Sequence, residues 1–371
     1  MRIGVPAETR PGETRVAATA ETIKKLVSQG HELLVQEGAG RAASQTDEAY
    51  QAVGARIVSQ AEALAADLVL KVRLPGEAEL AAMRRGTVLV GLLEPFNAAG
   101  IAAMNAAGLT AFALEAAPRT TRAQSMDVLS SQANIAGYKA VLMAANAYQR
   151  LMPMMMTAAG TIKAARVVIL GAGVAGLQAI ATAKRLGAVI EASDVRPAVK
   201  EQIESLGAKF IDVPYETDEE REAAQGTGGY AKPMPPSWLE RQKAEVARRI
   251  AAADIVITTA LIPGRKAPVL VTADMVRSMR PGSVIVDMAA EQGGNCELTE
   301  PGRTTVHNEV QVIGQPNIPA LVAADSSALY ARNLIDFLKL VLAKDGSFSI
   351  PEGDDIVTAC LVCHGGQVLR K

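Results

Sequence analysis

Short apolar, β-prone runs alternate with alanine-rich amphipathic stretches along most of the chain, and this alternation is its strongest constraint on folding. Arg2-Ile3-Gly4-Val5, Glu32-Leu33-Leu34-Val35, Asp67-Leu68-Val69-Leu70 and Thr87-Val88-Leu89-Val90 read as buried strands, with helical segments over Glu21 to Gln29 and Glu77 to Met83 among them. A second series begins near Arg166. It runs as strand Arg166 to Leu170, helix Val174 to Leu186, strand Val189 to Ala192, helix Pro197 to Leu206, then strands Asp254 to Thr258 and Ser283 to Val286. Strands that alternate with helices give a parallel sheet covered by helices, because a parallel neighbour needs a crossover connection. Two α/β units are expected.

Ser125 to Arg150 carries apolar residues at helical spacing without a proline, and reads as a rigid helical connector between the units. Near the other end Ser326 to Leu342 again reads as a helix, after the proline-punctuated Gln315-Pro316-Asn317-Ile318-Pro319. The chain is expected to leave the first unit and return to it, with a cleft between the two. Asp212 to Pro236 fits neither pattern: an acidic run (Glu216, Asp218, Glu219, Glu220, Glu222) precedes Gly226-Thr227-Gly228-Gly229-Tyr230-Ala231-Lys232-Pro233. A structureless insert of that length is either a solvated loop or a functional lid.

Charge narrows the function. With 38 Lys+Arg against 39 Asp+Glu the formal charge is −1, so no net basic field exists to hold a phosphate backbone or an anionic lipid surface. No run approaches the roughly 20 apolar residues of a spanning helix, and Met1-Arg2-Ile3-Gly4-Val5-Pro6 has no signal-peptide form. The expectation is a cytosolic chain that is not self-anchored. Its three cysteines give no disulfide framework. Cys360-Leu361-Val362-Cys363-His364 has the spacing of c-type haem attachment, but the segment reads instead as a hairpin, Val357 to Val362 and Gln367 to Leu369 flanking Gly365-Gly366. Zinc would need two further ligands, and Cys296, His31 and His307 show no paired spacing. No metal is expected.

Chemistry concentrates in Arg166-Val167-Val168-Ile169-Leu170-Gly171-Ala172-Gly173-Val174-Ala175-Gly176. Gly171 permits the tight turn after a strand, Gly173 lets backbone approach a pyrophosphate, and Gly176 lets helix and strand pack closely. The helix N-terminus offers unpaired N–H groups to phosphate. Asp194 ends the next strand, where a carboxylate can accept hydrogen bonds from both adenosine ribose hydroxyls and repel a 2′-phosphate. NAD(H) is therefore favoured over NADP(H), although Arg196 is a residue type that suits a phosphate.

A dehydrogenase that oxidises an alcohol or amine must also move a proton, and His31 and His307 sit in no visible constellation. The main polar cluster elsewhere is Arg119-Thr120-Thr121-Arg122-Ala123-Gln124-Ser125-Met126-Asp127-Val128-Leu129-Ser130-Ser131-Gln132. It reads either as helix capping, by Ser125 with Asp127 in the first turn, or as a polar clamp on a nicotinamide without a general base. Met152-Pro153-Met154-Met155-Met156 reads as soft packing at the domain junction. Lys71 and Arg15 read as members of a solvated face, with an anion site as the alternative.

Over essentially its whole length the chain resembles the NAD(H)-binding domain I of proton-translocating nicotinamide nucleotide transhydrogenase, in the form of a separate alpha subunit; alanine dehydrogenases are the nearest outgroup. Both groups share Pro6-Ala7-Glu8-Thr9-Arg10-Pro11-Gly12-Glu13-Thr14-Arg15-Val16-Ala17, Gly30-His31 and Glu37-Gly38-Ala39-Gly40. More specific to the transhydrogenases are Arg122-Ala123-Gln124-Ser125-Met126-Asp127, Met154 to Thr161, Gly229-Tyr230-Ala231-Lys232 and Thr258-Thr259-Ala260-Leu261-Ile262-Pro263-Gly264. The resemblance implies two Rossmann-like domains, 1–128 with 322–371 and 129–321, and a mobile loop at 212–236. It implies catalytic roles for Gln124, Asp127 and Arg119 around the nicotinamide. It further implies an NAD(H) site of Ser130, Gly171, Gly173, Val174, Gly176, Asp194, Val195, Arg196, Gly229, Tyr230 and Leu261, with Tyr230 in the loop that closes over nucleotide.

The implied function is direct hydride transfer, Si-Re (AB) specific, between NADH on this chain and NADP+ on a partner beta subunit. Separate membrane subunits would couple it to proton translocation. A homodimer on the cytoplasmic face of the cell membrane is also implied. Alanine dehydrogenases resemble this chain at Arg15 and Lys71, which there hold the keto-acid. Their catalytic histidine falls at Leu92, however, and their catalytic aspartate at Glu291. An alanine dehydrogenase-like enzyme and a non-catalytic NAD(H)-sensing module are the two rival readings.

Overall fold

The computed structural model describes residues 1–225, 234–343 and 345–370. The chain divides into two units, Met1–Gln132 with Pro319–Lys371, and Ala133–Ile318. In the first, strands β1 (Arg2–Val5), β2 (Glu32–Gln36), β3 (Arg56–Val58), β4 (Leu68–Arg73), β5 (Val88–Leu92) and β6 (Thr110–Ala113) are parallel, in the order β3-β2-β1-β4-β5-β6. Strand side chains alternate between faces, and two cores result. Ile3, Val5, Leu33, Val35, Leu68, Leu70 and Val90 enter one, and Leu34, Val69, Leu89 and Ala111 the other. A sheet covered on both faces needs near-continuous apolar strands, which is why the runs were legible. Gly4 is required mid-strand because a Cβ there would lie 1.9 Å from the Ala63 carbonyl oxygen.

Helix Val128–Ala147 carries the chain into the second unit. There β7 (Met155–Thr157) and β8 (Gly160–Ile162) form an isolated two-stranded hairpin. The main sheet has β9 (Arg166–Leu170), β10 (Val189–Ser193), β11 (Lys209–Phe210), β12 (Ile255–Thr258), β13 (Val284–Asp287), β14 (Thr304–His307) and β15 (Val310–Ile313), in the order β11-β10-β9-β12-β13-β15-β14. Only the β14–β15 pair is antiparallel in that sheet. Helix Ala323–Val341 then belongs to the first unit, where β16 (Leu361–His364) pairs antiparallel with β6 and with β17 (Gln367–Val368). No helix among the described residues is long and apolar enough to cross a membrane.

Four expectations need correction. The Gly365-Gly366 turn is present, but the residues before Leu361 form helix Asp355–Cys360, because the Asp354 carboxylate accepts the Ile356 and Val357 N–H groups and caps it. The 212–236 segment is not structureless: Asp218–Gln225 is helical, and another helix begins at Pro236. Val213, Ala223, Met234 and Trp238 form a small core there, and buried Glu220 accepts hydrogen bonds from Arg241 and Ser237. The methionine run does not pack as one: Met152 is buried in the second unit's core, whereas Met154, Met155 and Met156 are exposed at the β7–β8 hairpin. Lys71 and Arg15 belong to no solvated face, for both are buried.

Candidate functional site

In both sheets the strand order reverses beside the first strand, and ligands of such sheets bind at that switch point, beyond the C-terminal strand ends. In the second unit the switch point lies after β9. Gly171 has φ +98, a conformation that glycine adopts without strain, and a Cβ there would meet Thr259 Oγ1 at 2.6 Å. Thr259 Oγ1 donates to the Gly171 carbonyl, 3.0 Å, which locks the turn to the end of β12. At Gly176 a Cβ would sit 1.9 Å from the Gly171 oxygen, so the helix Val174–Arg185 approaches β9 only because that position is bare. Gly173 differs. It caps the helix in extended conformation, and its Cβ would meet nothing nearer than Arg196 Nη2 at 4.0 Å. An open cradle of backbone at a helix N-terminus fits a pyrophosphate, and the exposed Val174, Val195 and Leu261 supply apolar surface in the same unit.

Asp194 stands at this turn. One oxygen, Oδ2, accepts Ala172 N–H at 2.7 Å and Arg196 Nη2 at 2.9 Å; the other, Oδ1, accepts Arg196 N–H and Nε, each at 2.9 Å. Burial pushes its pKa up, but these hydrogen bonds outweigh it and hold the carboxyl below its usual range. Arg196 therefore does not stand as an open phosphate ligand: it occupies Asp194, and ribose hydroxyls gain those lone pairs only when its side chain moves aside.

Arg119, Gln124, Asp127 and Ser130 are placed on one segment of the first unit. Arg119 and Gln124 are exposed, the latter on a short 3-10 turn, Thr121–Met126. The capping residue of the long helix is Asp127 rather than Ser125: its Oδ1 accepts Ser130 N–H at 2.9 Å and its Oδ2 accepts Ser130 Oγ at 2.5 Å. Ser125 instead presents its carbonyl to Asn333 Nδ2, 2.7 Å. Gly229 and Tyr230 lie outside the described residues.

The first unit's own switch point is filled with charge. Arg15 grips Glu13 through Nε and Nη2, at 2.8 and 2.7 Å, and donates Nη1 to Gln132. Lys71 Nζ meets Glu79 at 2.6 Å and Glu8 at 3.3 Å, and Arg73 Nε donates to Glu13 at 2.9 Å. Burial raises the Glu8 carboxyl despite Lys71. Against the upward push of burial, Arg15 and Arg73 bring Glu13 down to about 2.

None of the three histidines stands at either switch point. His31 precedes β2, His364 pairs through Nδ1 with Thr110 at the start of β6, and His307 lies opposite Val310 at the start of β15. All three mark the N-terminal strand ends, whereas Leu92 ends β5 at the other edge. Cys360 and Cys363 are buried, and burial drives the Cys360 thiol up to about 12 and raises Cys363 as well. Neither is exposed to bind haem.

Residues 4–136 match the family model "Alanine dehydrogenase/PNT, N-terminal domain", and residues 140–371 match "Alanine dehydrogenase/PNT, C-terminal domain". The chain is 50% identical over 379 residues to an NAD(P) transhydrogenase subunit alpha of Rhodospirillum rubrum, covering 100% of this chain and 98% of that one. It is 30% identical over 385 residues to alanine dehydrogenase 1 of Staphylococcus aureus, covering 100% and 95%. Its fold superposes on the crystal structure of transhydrogenase from Sinorhizobium meliloti with a TM-score of 0.90, at 49% identity, over 99% of this chain and 100% of that one. With both domain models matched and such relatives aligned end to end, the chain belongs to the alanine dehydrogenase/transhydrogenase family.

Proposed function

We propose that the chain is the NAD(H)-binding subunit of a proton-translocating transhydrogenase. The supporting observation is the pairing of a glycine cradle suited to a dinucleotide with the absence of any histidine at the C-terminal strand ends. Bound NADH supplies a hydride, two electrons with one proton, to NADP+ held by a partner beta subunit; NADH is oxidised, NADP+ is reduced, and no further proton need move. Hydride transfer needs no proton acceptor, so a site without a histidine is sufficient for that reaction, whereas amine oxidation needs one. This chain's part is placement, with reacting carbons brought to about 3 to 3.5 Å. Gly173 leaves room for the pyrophosphate at the helix N-terminus, and Gly171 and Gly176 shape the turn and the helix packing that hold it there. Asp194 receives the adenosine ribose, which favours NAD(H) over NADP(H). Val174, Val195, Arg196 and Leu261 line the site. Gln124, Arg119 and Ser130 orient the nicotinamide end, with Asp127 fixing Ser130.

Proton coupling belongs to separate membrane subunits, and this chain is peripheral on the cytoplasmic face. A homodimer accords with the β7–β8 hairpin, since a two-stranded ribbon with all its residues exposed is marginal alone.

The test mixes the purified chain with an NADP(H)-binding partner domain and follows hydride transfer from NADH to an NADP+ analogue. Transfer is expected, and turnover of L-alanine with NAD+ by the chain alone would sink the proposal. Gln124→Ala is expected to slow transfer about tenfold or more, the size of one lost orienting contact, while NADH affinity changes less. Equal losses would reduce Gln124 to a binding residue.

A further inference from the structure

Beyond β12 the chain runs from Thr259 to Leu270 without regular structure, and Leu261 to Lys266 are all exposed. A segment outside any ladder must find its backbone partners elsewhere, and here one buried amide supplies them at both stems. Asn295 is 0% exposed. Its Oδ1 accepts Ala260 N–H at 3.0 Å, while Nδ2 donates to the Ala260 carbonyl at 2.9 Å and the Pro268 carbonyl at 2.8 Å. The Asn295 main-chain oxygen also accepts Leu270 and Val271 N–H groups, 2.8 and 3.0 Å.

The anchor is itself anchored. Asp287, at the end of β13 and 0% exposed, accepts five hydrogen bonds: from Thr258 Oγ1, Thr299 Oγ1 and the N–H groups of Ala289, Asn295 and Cys296, all between 2.6 and 3.0 Å. Gly293 and Gly294, with φ of +95 and +78, make the turn that brings Asn295 under the loop. A Cβ on Gly294 would lie 2.9 Å from Asp287 Oδ2.

We infer that Asn295 is a positioning residue that holds the Leu261 loop over the β12–β13 side of the nucleotide site without touching the nucleotide. The inference rests on the NAD(H)-binding reading above. In a doubly wound sheet the first-strand side takes the adenosine half and the side beyond the switch point takes the other. Asn295 therefore serves the nicotinamide half alone.

Calorimetric titration of the full chain with NADH and with 5′-AMP tests this, using Asn295→Ala and Asn295→Ser. Both variants are expected to bind NADH about tenfold more weakly, the size of a lost buried hydrogen-bond anchor, with AMP affinity unchanged to within about twofold. Trypsin should also cleave them faster at Arg265 and Lys266, a readout independent of any nucleotide. Equal loss of AMP and NADH, or unchanged NADH binding with unchanged cleavage, overturns the inference. If neither variant folds, hydrogen exchange on the wild-type chain decides: slow Ala260 and Leu270 amides support the anchor, and exchange as fast as that of Gly264 overturns it. A wild-type chain that binds AMP but not NADH overturns the NAD(H) reading, and this inference with it.

Discussion

The two sheets run in the same order about their first strands, β3-β2-β1-β4-β5-β6 in one unit and β11-β10-β9-β12-β13-β15 in the other, yet their switch points are built oppositely. After β9 come three glycines, one of them with open space above its backbone. After β1 come Glu8, Glu13 and Arg15, packed with Lys71, Arg73 and Glu79 into a buried, charge-balanced network. Identical topology therefore leaves one crevice open to an anion and plugs the other with ion pairs. Function follows the turn and not the fold.

Breaking the plug carries the largest expected effect. Lys71→Met leaves Glu8 and Glu79 buried without their cation, and loss of one member of a buried pair costs about 3–5 kcal/mol. Urea unfolding should show that loss, and it should shrink on acidification as the Glu8 carboxyl, already raised by burial, protonates. A loss under about 1 kcal/mol would mean the network is well solvated.

Next in size is a matched pair of glycine substitutions. Gly176→Ala and Gly4→Ala each place a Cβ 1.9 Å from a backbone oxygen, and overpacking of this kind costs about 1–3 kcal/mol. The first should also abolish NADH binding, and the second should leave the affinity of the folded fraction unaltered. Equal effects on binding would erase the proposed division of labour.

Asp194→Asn sharpens the comparison further. It removes the charge that holds Arg196, and should weaken NADH binding by about tenfold while narrowing its preference over NADPH. Competitive titration of the two nucleotides measures both changes.

The smallest effect concerns the first unit alone. Glu115 is half-buried, and desolvation raises its carboxyl to about 7, despite hydrogen bonds from the Leu93 and Glu94 N–H groups. The folded state then keeps a proton that the unfolded chain releases near 4.5. Its contribution is complete below that value and fades as pH rises through about 7. Glu115→Gln should flatten the dependence of Tm on pH across that window, and an unchanged slope would place the titration elsewhere.

Strands with apolar side chains on both faces, such as Arg2–Val5 and Arg166–Leu170, were legible because burial on two sides demands a continuous run. Strands that stay partly exposed, such as Lys209–Phe210 and Thr304–His307, were not, since no continuous apolar run marks them. The helix Asp355–Cys360 was missed because a β-prone run became helical under the Asp354 cap. Likewise, the helix Asp218–Gln225 was hidden in an acidic stretch, where Glu220 is held by an ion pair to Arg241, 21 residues further along the chain.

In the site, the glycine spacing and Asp194 were local signals, for a tight turn needs its residues contiguous. By itself the sequence determined the α/β class, the position of the glycine cradle and the scarcity of histidine. Only tertiary structure decided that Arg196 occupies Asp194, that Arg15 and Lys71 are buried in ion pairs, that every histidine lies at the N-terminal strand ends, and that Asn295 grips two stems of one loop. Arg196 and Asp194, like Arg15 and Glu13, lie two residues apart, and there the fold decides only side-chain orientation and burial. The Lys71 pairing with Glu8, the histidine positions and the Asn295 anchor join residues distant in sequence or are set by strand direction, and they exist only once the sheet has formed.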